Sequence, residues 1–259
     1  MNQSSHSFPL AQRCRFVLVE TSHPGNVGAS ARAMKTMGFS ELVLVNPRYP
    51  EVLSHEDAIA FASGATEVLT QARIVVSLEE ALQGCNFCVA LSARSREFSP
   101  PRYEPRSLAA LVSSNDSLRT AVVFGSERYG LSNEQVEKCQ AIVTVPTDAE
   151  YGSLNLAQAV QIVAYEFRMA GLLSTDELGG LDRPNSMGEL ATSEEIEGMF
   201  VHLEQALIAM EFLDRDDPKK LMSRLRRLFA RTSLETEEVN IVRGIANQIL
   251  HPRKRGFRE

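Results

Sequence analysis

The sequence predicts an α/β fold with a mainly parallel sheet, followed by a small helical module. Three observations carry this reading: short apolar strands alternate with helical patterns from residue 15 to about 171, the composition changes over 174–193, and only helical periodicity continues beyond. In chain order the expected strands are 16–19, 42–45, 74–76, 87–91, 121–124 and 142–145. Residues 155–173 read as a long helix that closes the first domain, with Leu156, Ala159, Val160, Val163, Ala164 and Phe167 on one face. Over 174–193, Gly179, Gly180, Pro184, Asn185 and Gly188 stand among acidic and polar residues, which predicts a linker. Three amphipathic helices follow, marked by Ile196, Met199, Phe200, Leu203, Leu207 and Met210, by Leu221, Leu225, Leu228 and Phe229, and by Val239, Val242, Ile245 and Ile249. The expected organisation is a domain at 1–173, a linker at 174–193 and a helical module at 194–259.

At 259 residues and 44% hydrophobic content the chain can bury a full core. Its first twelve residues are polar apart from Phe8 and Leu10. No run approaches the roughly 18 apolar residues of a membrane span, so the expectation is a soluble cytoplasmic chain. The cysteines at 14, 85, 88 and 139 are too few and too scattered for a disulfide framework. Cys85 and Cys88 form a CxxC, but Cys88 falls inside an apolar strand and no second ligand pair accompanies it, so no metal site is expected. A formal charge of -6 argues against a nonspecific nucleic-acid coat, and any RNA binding must rest on local basic patches.

Four segments carry candidate chemistry. The first strand runs into a turn with Pro24, Gly25, Asn26 and Gly28, then a helix bearing Arg32; a glycine-rich turn of this kind can bring backbone N–H groups close to an anion. It is not a dinucleotide fingerprint, because a GxGxxG starting at Gly25 would place Val27 and Ser30 at the next two glycine positions, and Asn46 stands where a ribose-binding acid belongs. The second segment puts Arg94 and Arg96 beyond a strand end, where ligands bind in open α/β sheets or where a basic loop is simply solvated. The third ends a buried strand in a loop with Gly125, Glu127 and Gly130. The fourth, with Tyr151, Gly152, Ser153 and Asn155, feeds the long helix, and Ser153 or Asn155 is either its N-cap or a functional group.

In order, NxGxxxR at Asn26, Gly28 and Arg32, FGxExxGLS from Phe124 and SLNLAxAVxI from Ser153 resemble the SPOUT class of RNA methyltransferases, and the text around them resembles the bacterial TrmJ family. The resemblance covers most of the chain, including the LRRLF stretch of the helical module. It implies a C-terminal trefoil knot, a homodimer, and transfer of a methyl group from S-adenosylmethionine to the ribose 2'-hydroxyl of cytidine or uridine at position 32 of the tRNA anticodon loop, with S-adenosylhomocysteine as product. It also implies that Leu91, Ser92, Ala93, Gly125, Val145, Gly152, Ser153 and Leu154 hold the donor. Arg32 becomes the catalytic arginine, with Asn26, Glu127, Tyr151 and Asn155 near the reacting groups. Leu91 and Gly152 depart from the more polar residues expected there. The alternatives are a noncatalytic RNA-binding or assembly factor, against which the intact motif residues speak, and an enzyme acting on ribosomal RNA, against which the C-terminal resemblance speaks.

A guanidinium with a pKa above about 12 is a poor base, so Arg32 is expected to stabilise charge and position phosphate, with the proton passing to water or to a carboxylate such as Glu127. Arg94 and Arg96 are expected to clamp the RNA backbone. Lys220, Arg224, Arg227 and Arg231 recur at helical spacing in an acid-free segment and predict a basic ridge for tRNA, extended by Arg253, Lys254, Arg255 and Arg258. For the dimer, Ile162, Met169, Leu172 and Leu173 lie off the main face of the long helix, and Val27, Met34 and Met37 are expected to add apolar area near Arg32.

Overall fold

The computed structural model describes residues 9–94, 96, 99–173 and 188–252. The tail residues Arg253, Lys254, Arg255 and Arg258, and positions 174–187 of the expected linker, lie outside the described residues.

The elements follow in the order β1 (Cys14–Val19), α1 (Pro24–Thr36), β2 (Leu42–Val45), α2 (Glu56–Ala62), α3 (Thr66–Gln71), β3 (Arg73–Val75), α4 (Leu78–Leu82), β4 (Phe87–Leu91) and β5 (Arg102–Tyr103). Then come α5 (Pro105–Ser114), β6 (Thr120–Phe124), α6 (Asn133–Glu137), β7 (Ala141–Val143), α7 (Leu156–Leu172), α8 (Ser193–Ala209), α9 (Leu221–Phe229) and α10 (Thr236–Leu250). Among the described residues all seven strands pair in parallel, in the order β3-β2-β1-β6-β4-β7-β5. The six expected strands are present with ends shifted by at most two residues. The seventh, β5, has only two residues and no apolar run, so it left no period to read. It is held at the sheet edge by Ile142 N–H donating to Pro101 O (2.8 Å) and Thr144 N–H to Tyr103 O (2.9 Å).

Both faces of the sheet are covered, which explains why its strands read as continuous apolar runs. Along β1, Phe16 and Leu18 point into a core shared with α1, α5 and α7, while Val17 and Val19 point into a second core shared with α4 and α6. In the first core the Phe16 ring stacks on Phe124 at 6.0 Å and leans on Phe39 at 5.2 Å. Gly28 sits where α1 meets α2: a Cβ there would lie 2.0 Å from the carbonyl oxygen of Ala58. The motif glycine therefore serves helix packing rather than anion binding. Val27 and Met34 are fully buried and Met37 packs on the same core, so these residues do not supply the interface area expected of them. The off-face residues at the end of α7 do stand out, with Met169, Leu172 and the C-cap Leu173 38%, 60% and 44% exposed.

Residues 188–193 belong with the helical module rather than with a linker. Leu190 and Ala191 are buried, Ala191 N–H donates to Leu234 O (2.9 Å), and Thr192 caps α8 in a capping box with Glu195. The module is seated on the sheet by Ser193 N–H donating to Cys85 O (2.9 Å), by Ser193 Oγ at 3.0 Å from Cys88 Sγ, and by Gly84 N–H donating to Glu194 Oε1 (3.1 Å). The CxxC thus lies under the module. Burial raises both of its thiols, that of Cys85 to about 11. On α9, Met222, Leu225 and Phe229 pack inward, whereas Leu228, expected on the buried stripe, is 52% exposed.

Candidate active site

The carboxyl end of the sheet gathers three of the motifs through one hydrogen-bonded chain. At the β1–α1 turn, Ser22 donates through both N–H (2.9 Å) and Oγ (2.8 Å) to Oε2 of Glu127, which lies in the loop after β6. Asn26 Nδ2 donates to the other carboxylate oxygen at 2.8 Å. Asn26 Oδ1 in turn accepts from Asn155 Nδ2 at 3.0 Å. Asn155 is the N-cap of α7: its Oδ1 accepts from Ala157 N–H (2.9 Å) and Gln158 N–H (3.4 Å), and Gln158 Oε1 accepts from Asn155 N–H. This settles the choice between Ser153 and Asn155 as the cap, and the cap is also a member of the site. Burial pulls the Glu127 pKa upward, but the hydrogen bonds from Asn26 and Ser22 outweigh it and hold the carboxyl below its ordinary value. Glu127 is thus ionised, with three donors on its two oxygens.

Beside this chain lies a cavity of about 210 Å³. All eight residues expected to hold the donor line it: Leu91, Ser92, Ala93, Gly125, Val145, Gly152, Ser153 and Leu154. Leu131, Leu156 and Ala159 complete an apolar wall. The residues fit an adenosyl group, since flat apolar surface alternates with loop backbone from three separate segments. Gly125 is tight for another reason, because a Cβ there would lie 2.2 Å from the carbonyl carbon of Gly130 and 2.3 Å from Leu131 N. Its missing side chain lets the loop fold back on itself.

Arg96 behaves differently from expectation. Its guanidinium donates to Ser92 Oγ (2.7 Å), Leu131 O (2.8 Å) and Asn133 Oδ1 (2.9 Å), so three of its five donors tie the loop after β4 to the loop before α6. Arg102, which the sequence did not single out, holds the other side of that loop by donating to Ser92 O (3.2 Å) and Arg94 O (2.9 Å) and by a short bond to Thr144 Oγ1. Arg94 is exposed, and among the described residues its side chain makes no hydrogen bond or ion pair.

Arg32 and Tyr151 stand apart from the network. Arg32 is exposed on α1 over a shallow groove lined by Ala29, Leu154, Gln158 and Ile162. Leu154 borders both this groove and the 210 Å³ cavity. Tyr151 is 83% exposed, and its N–H donates to Asp148 Oδ1 at 3.1 Å. On the module, Lys220, Arg224, Arg227 and Arg231 are all exposed, as the ridge requires. Arg226 turns inward, paired with Glu197 through two bonds of 2.7 and 2.8 Å and lying 4.4 Å from the centre of the Phe200 ring. Ser22 is the network member that sequence reasoning missed; it sits inside the first motif, but a serine in a turn carries no signal of its own.

Fold and site together are those of a SpoU-class methyltransferase, and residues 13–165 match the family model described as the SpoU rRNA Methylase family. Residues 194–258 match a second model, the C-terminal domain of the tRNA methyltransferase TrmJ. The chain is 47% identical over 245 residues to the tRNA (cytidine/uridine/adenosine-2'-O-)-methyltransferase TrmJ of Pseudomonas aeruginosa, covering 92% of this chain and 94% of that protein. It is 44% identical to the tRNA (cytidine/uridine-2'-O-)-methyltransferase TrmJ of Photorhabdus laumondii, covering 93% and 98%. The crystal structure of TrmJ from Z. mobilis ZM4 superposes with a TM-score of 0.77 at 32% identity, covering 91% of this chain and 98% of that one. The chain belongs to the TrmJ family of methyltransferases.

Proposed function

We propose that this enzyme methylates the ribose 2'-hydroxyl of cytidine or uridine at position 32 of the tRNA anticodon loop, with S-adenosylmethionine as donor, as a cytoplasmic homodimer. The observation that carries the reading is the convergence of the eight expected donor residues on one cavity, beside a polar chain that links Ser22, Glu127, Asn26 and Asn155. When bound, S-adenosylmethionine supplies a methyl group already activated by its sulfonium. The protein must then exclude water and align the 2'-oxygen. Ser153 and Leu154 stand immediately before the Asn155 cap, so the polar chain fixes that cavity wall relative to the β1–α1 turn.

Arg32 stabilises the negative charge that grows on the oxygen, and it takes part in neither the polar chain nor any ion pair among the described residues. Glu127 is a positioning residue rather than the proton acceptor, because its oxygens already hold three donors and its pKa is lowered. Water takes the proton. Tyr151 stands beside the cavity segment at Gly152, exposed and suited to touching RNA. Arg94 meets phosphate, while Arg96 rigidifies the loop that lines the donor cavity. The ridge of Lys220, Arg224, Arg227 and Arg231 carries the tRNA body.

The knot is supported by the sheet order, in which β7 lies between β4 and β5, two strands consecutive in the chain. The dimer is supported by the exposed apolar side chains of α7, and light scattering at micromolar concentration should give twice the chain mass. The test of the function is nuclease digestion and mass spectrometry of unmodified tRNA incubated with enzyme and donor. The expected product is one 2'-O-methylated pyrimidine at position 32. A methyl group at another position, or on ribosomal RNA only, would overturn the assignment.

A further inference from the structure

A second and larger cavity, of about 830 Å³, lies at the carboxyl ends of β1, β2 and β3, next to the donor cavity and sharing Arg94, Arg96, Gly130 and Leu131 with it. Of its lining, the transfer reaction described above uses only residues that the two cavities share. Its walls combine an aromatic face, hydrogen-bonding edges and a free cation, which are the components a protein uses to hold an unstacked base. Tyr129 is 64% exposed at the tip of a tight loop, closed by Gly130 N–H donating to Ser126 O at 2.8 Å, with Gly130 at φ 65°. Arg128 lies 5.1 Å from the centre of the Tyr129 ring. Because the backbone of Gly125 presses against Gly130 and Leu131, the loop has little room to move.

The strand ends supply the second observation. Glu20 follows β1 with φ 51° and Asn46 follows β2 with φ 45°, and both line the cavity. Asparagine adopts this left-handed conformation readily, whereas for glutamate it is strained. Backbone bonds hold both residues, Glu20 N–H to Val45 O (2.8 Å) and Asn46 N–H to Val75 O (2.9 Å). Among the described residues, neither side chain has a hydrogen-bond partner. Strain kept at a strand end whose side chain lines a polar cavity is a mark of ligand contact.

We propose that this cavity holds the base of the nucleotide adjacent to the methylated one, stacked on Tyr129, with its phosphate on Arg94 and an exocyclic amino group donated to the Glu20 carboxylate beside Asn46. This rests on the enzyme being an RNA methyltransferase. Glutamate accepts from the amino groups of cytosine or adenine and repels the carbonyl edge of uracil, so the site favours the amino bases.

The experiment uses the full chain and an anticodon stem-loop carrying 2-aminopurine next to the target nucleotide. Wild type should quench its fluorescence, Tyr129→Phe should do so equally, and Tyr129→Ala should not. In Tyr129→Ala the KM for RNA should rise about 10-fold, as expected for one lost base stack, with donor affinity by calorimetry unchanged. Glu20→Gln should lose the preference for cytosine or adenine over uracil at the neighbouring position. Equal quenching and KM in Tyr129→Ala, with methylation intact, would overturn this inference alone. A wild-type enzyme that binds the stem-loop and methylates no RNA would overturn the enzymatic reading, and this inference with it.

Discussion

Replacing Glu127 with glutamine tests the polar chain, because the direction of every hydrogen bond in it is fixed from both ends. Asn155 cannot flip its amide, since its Oδ1 caps α7 through Ala157 and Gln158. It must therefore donate to Asn26, which leaves Asn26 Nδ2 pointing at Glu127. Ser22 presents two more donors to the other oxygen. A glutamine at 127 has one acceptor oxygen and one NH₂ group, so at least one donor must face a donor. An unsatisfied polar group costs about 1–3 kcal/mol when buried, and a half-exposed site falls toward about 1–2 kcal/mol. At about 1.36 kcal/mol per factor of ten, donor binding or turnover should fall about 5- to 30-fold. Single-turnover methyl transfer and calorimetric donor titration would measure it. The double variant Glu127→Gln with Asn26→Asp puts an acceptor opposite the new NH₂ group while still accepting from Asn155, and it should recover part of the loss. Activity within twofold of wild type would refute the reasoning. So would a loss well beyond about 100-fold accompanied by disappearance of a pH-dependent limb, which is the behaviour of a proton acceptor.

Gly28→Ala should destabilise the protein by about 1–3 kcal/mol, since α1 and α2 must separate to clear the carbonyl of Ala58 and the gain in helix propensity offsets only part of this; chemical denaturation reads it directly. Arg32→Ala should reduce single-turnover methylation about 100-fold or more while donor affinity stays within a few-fold, because Arg32 does not line the cavity proposed for the donor. The carboxyls of Glu79, Glu127 and Glu197 have lowered pKa values in the folded chain, so their contribution is complete above the ordinary value of 4.5 and lost as pH falls through the folded values. Melting temperature should change little through these groups from pH 8 to 5 and drop below about 4.5; a midpoint unchanged at pH 3 would contradict this.

The strands of the sheet core were legible because burial on both faces leaves unbroken apolar runs, and α7 because its inward positions keep the helical period. β5 was hidden by its length, and the division at 188–193 because Glu189, Leu190 and Ala191 pair with 234–236 far along the chain. That the eight residues proposed to hold the donor share one cavity was legible only through ordered motifs, since no local pattern brings Leu91, Gly125 and Leu154 together. The roles of Gly28 and Arg96 could not be read at all. A glycine looks the same in a phosphate turn and in a helix crossing, and an arginine at a strand end looks the same whether it meets RNA or its own loop. The distinction lies in partners far away in sequence, Ala58 for the glycine and Leu131 and Asn133 for the arginine.

The most direct test of the account uses S-adenosylmethionine labelled in the methyl group, unmodified tRNA and complete alkaline hydrolysis of the product. A ribose methylated at its 2'-oxygen cannot attack the neighbouring phosphate, so the label should appear in an alkali-resistant dinucleotide. Label released as a mononucleotide would put the methyl group on a base, and would contradict the assignment of the 2'-hydroxyl as acceptor.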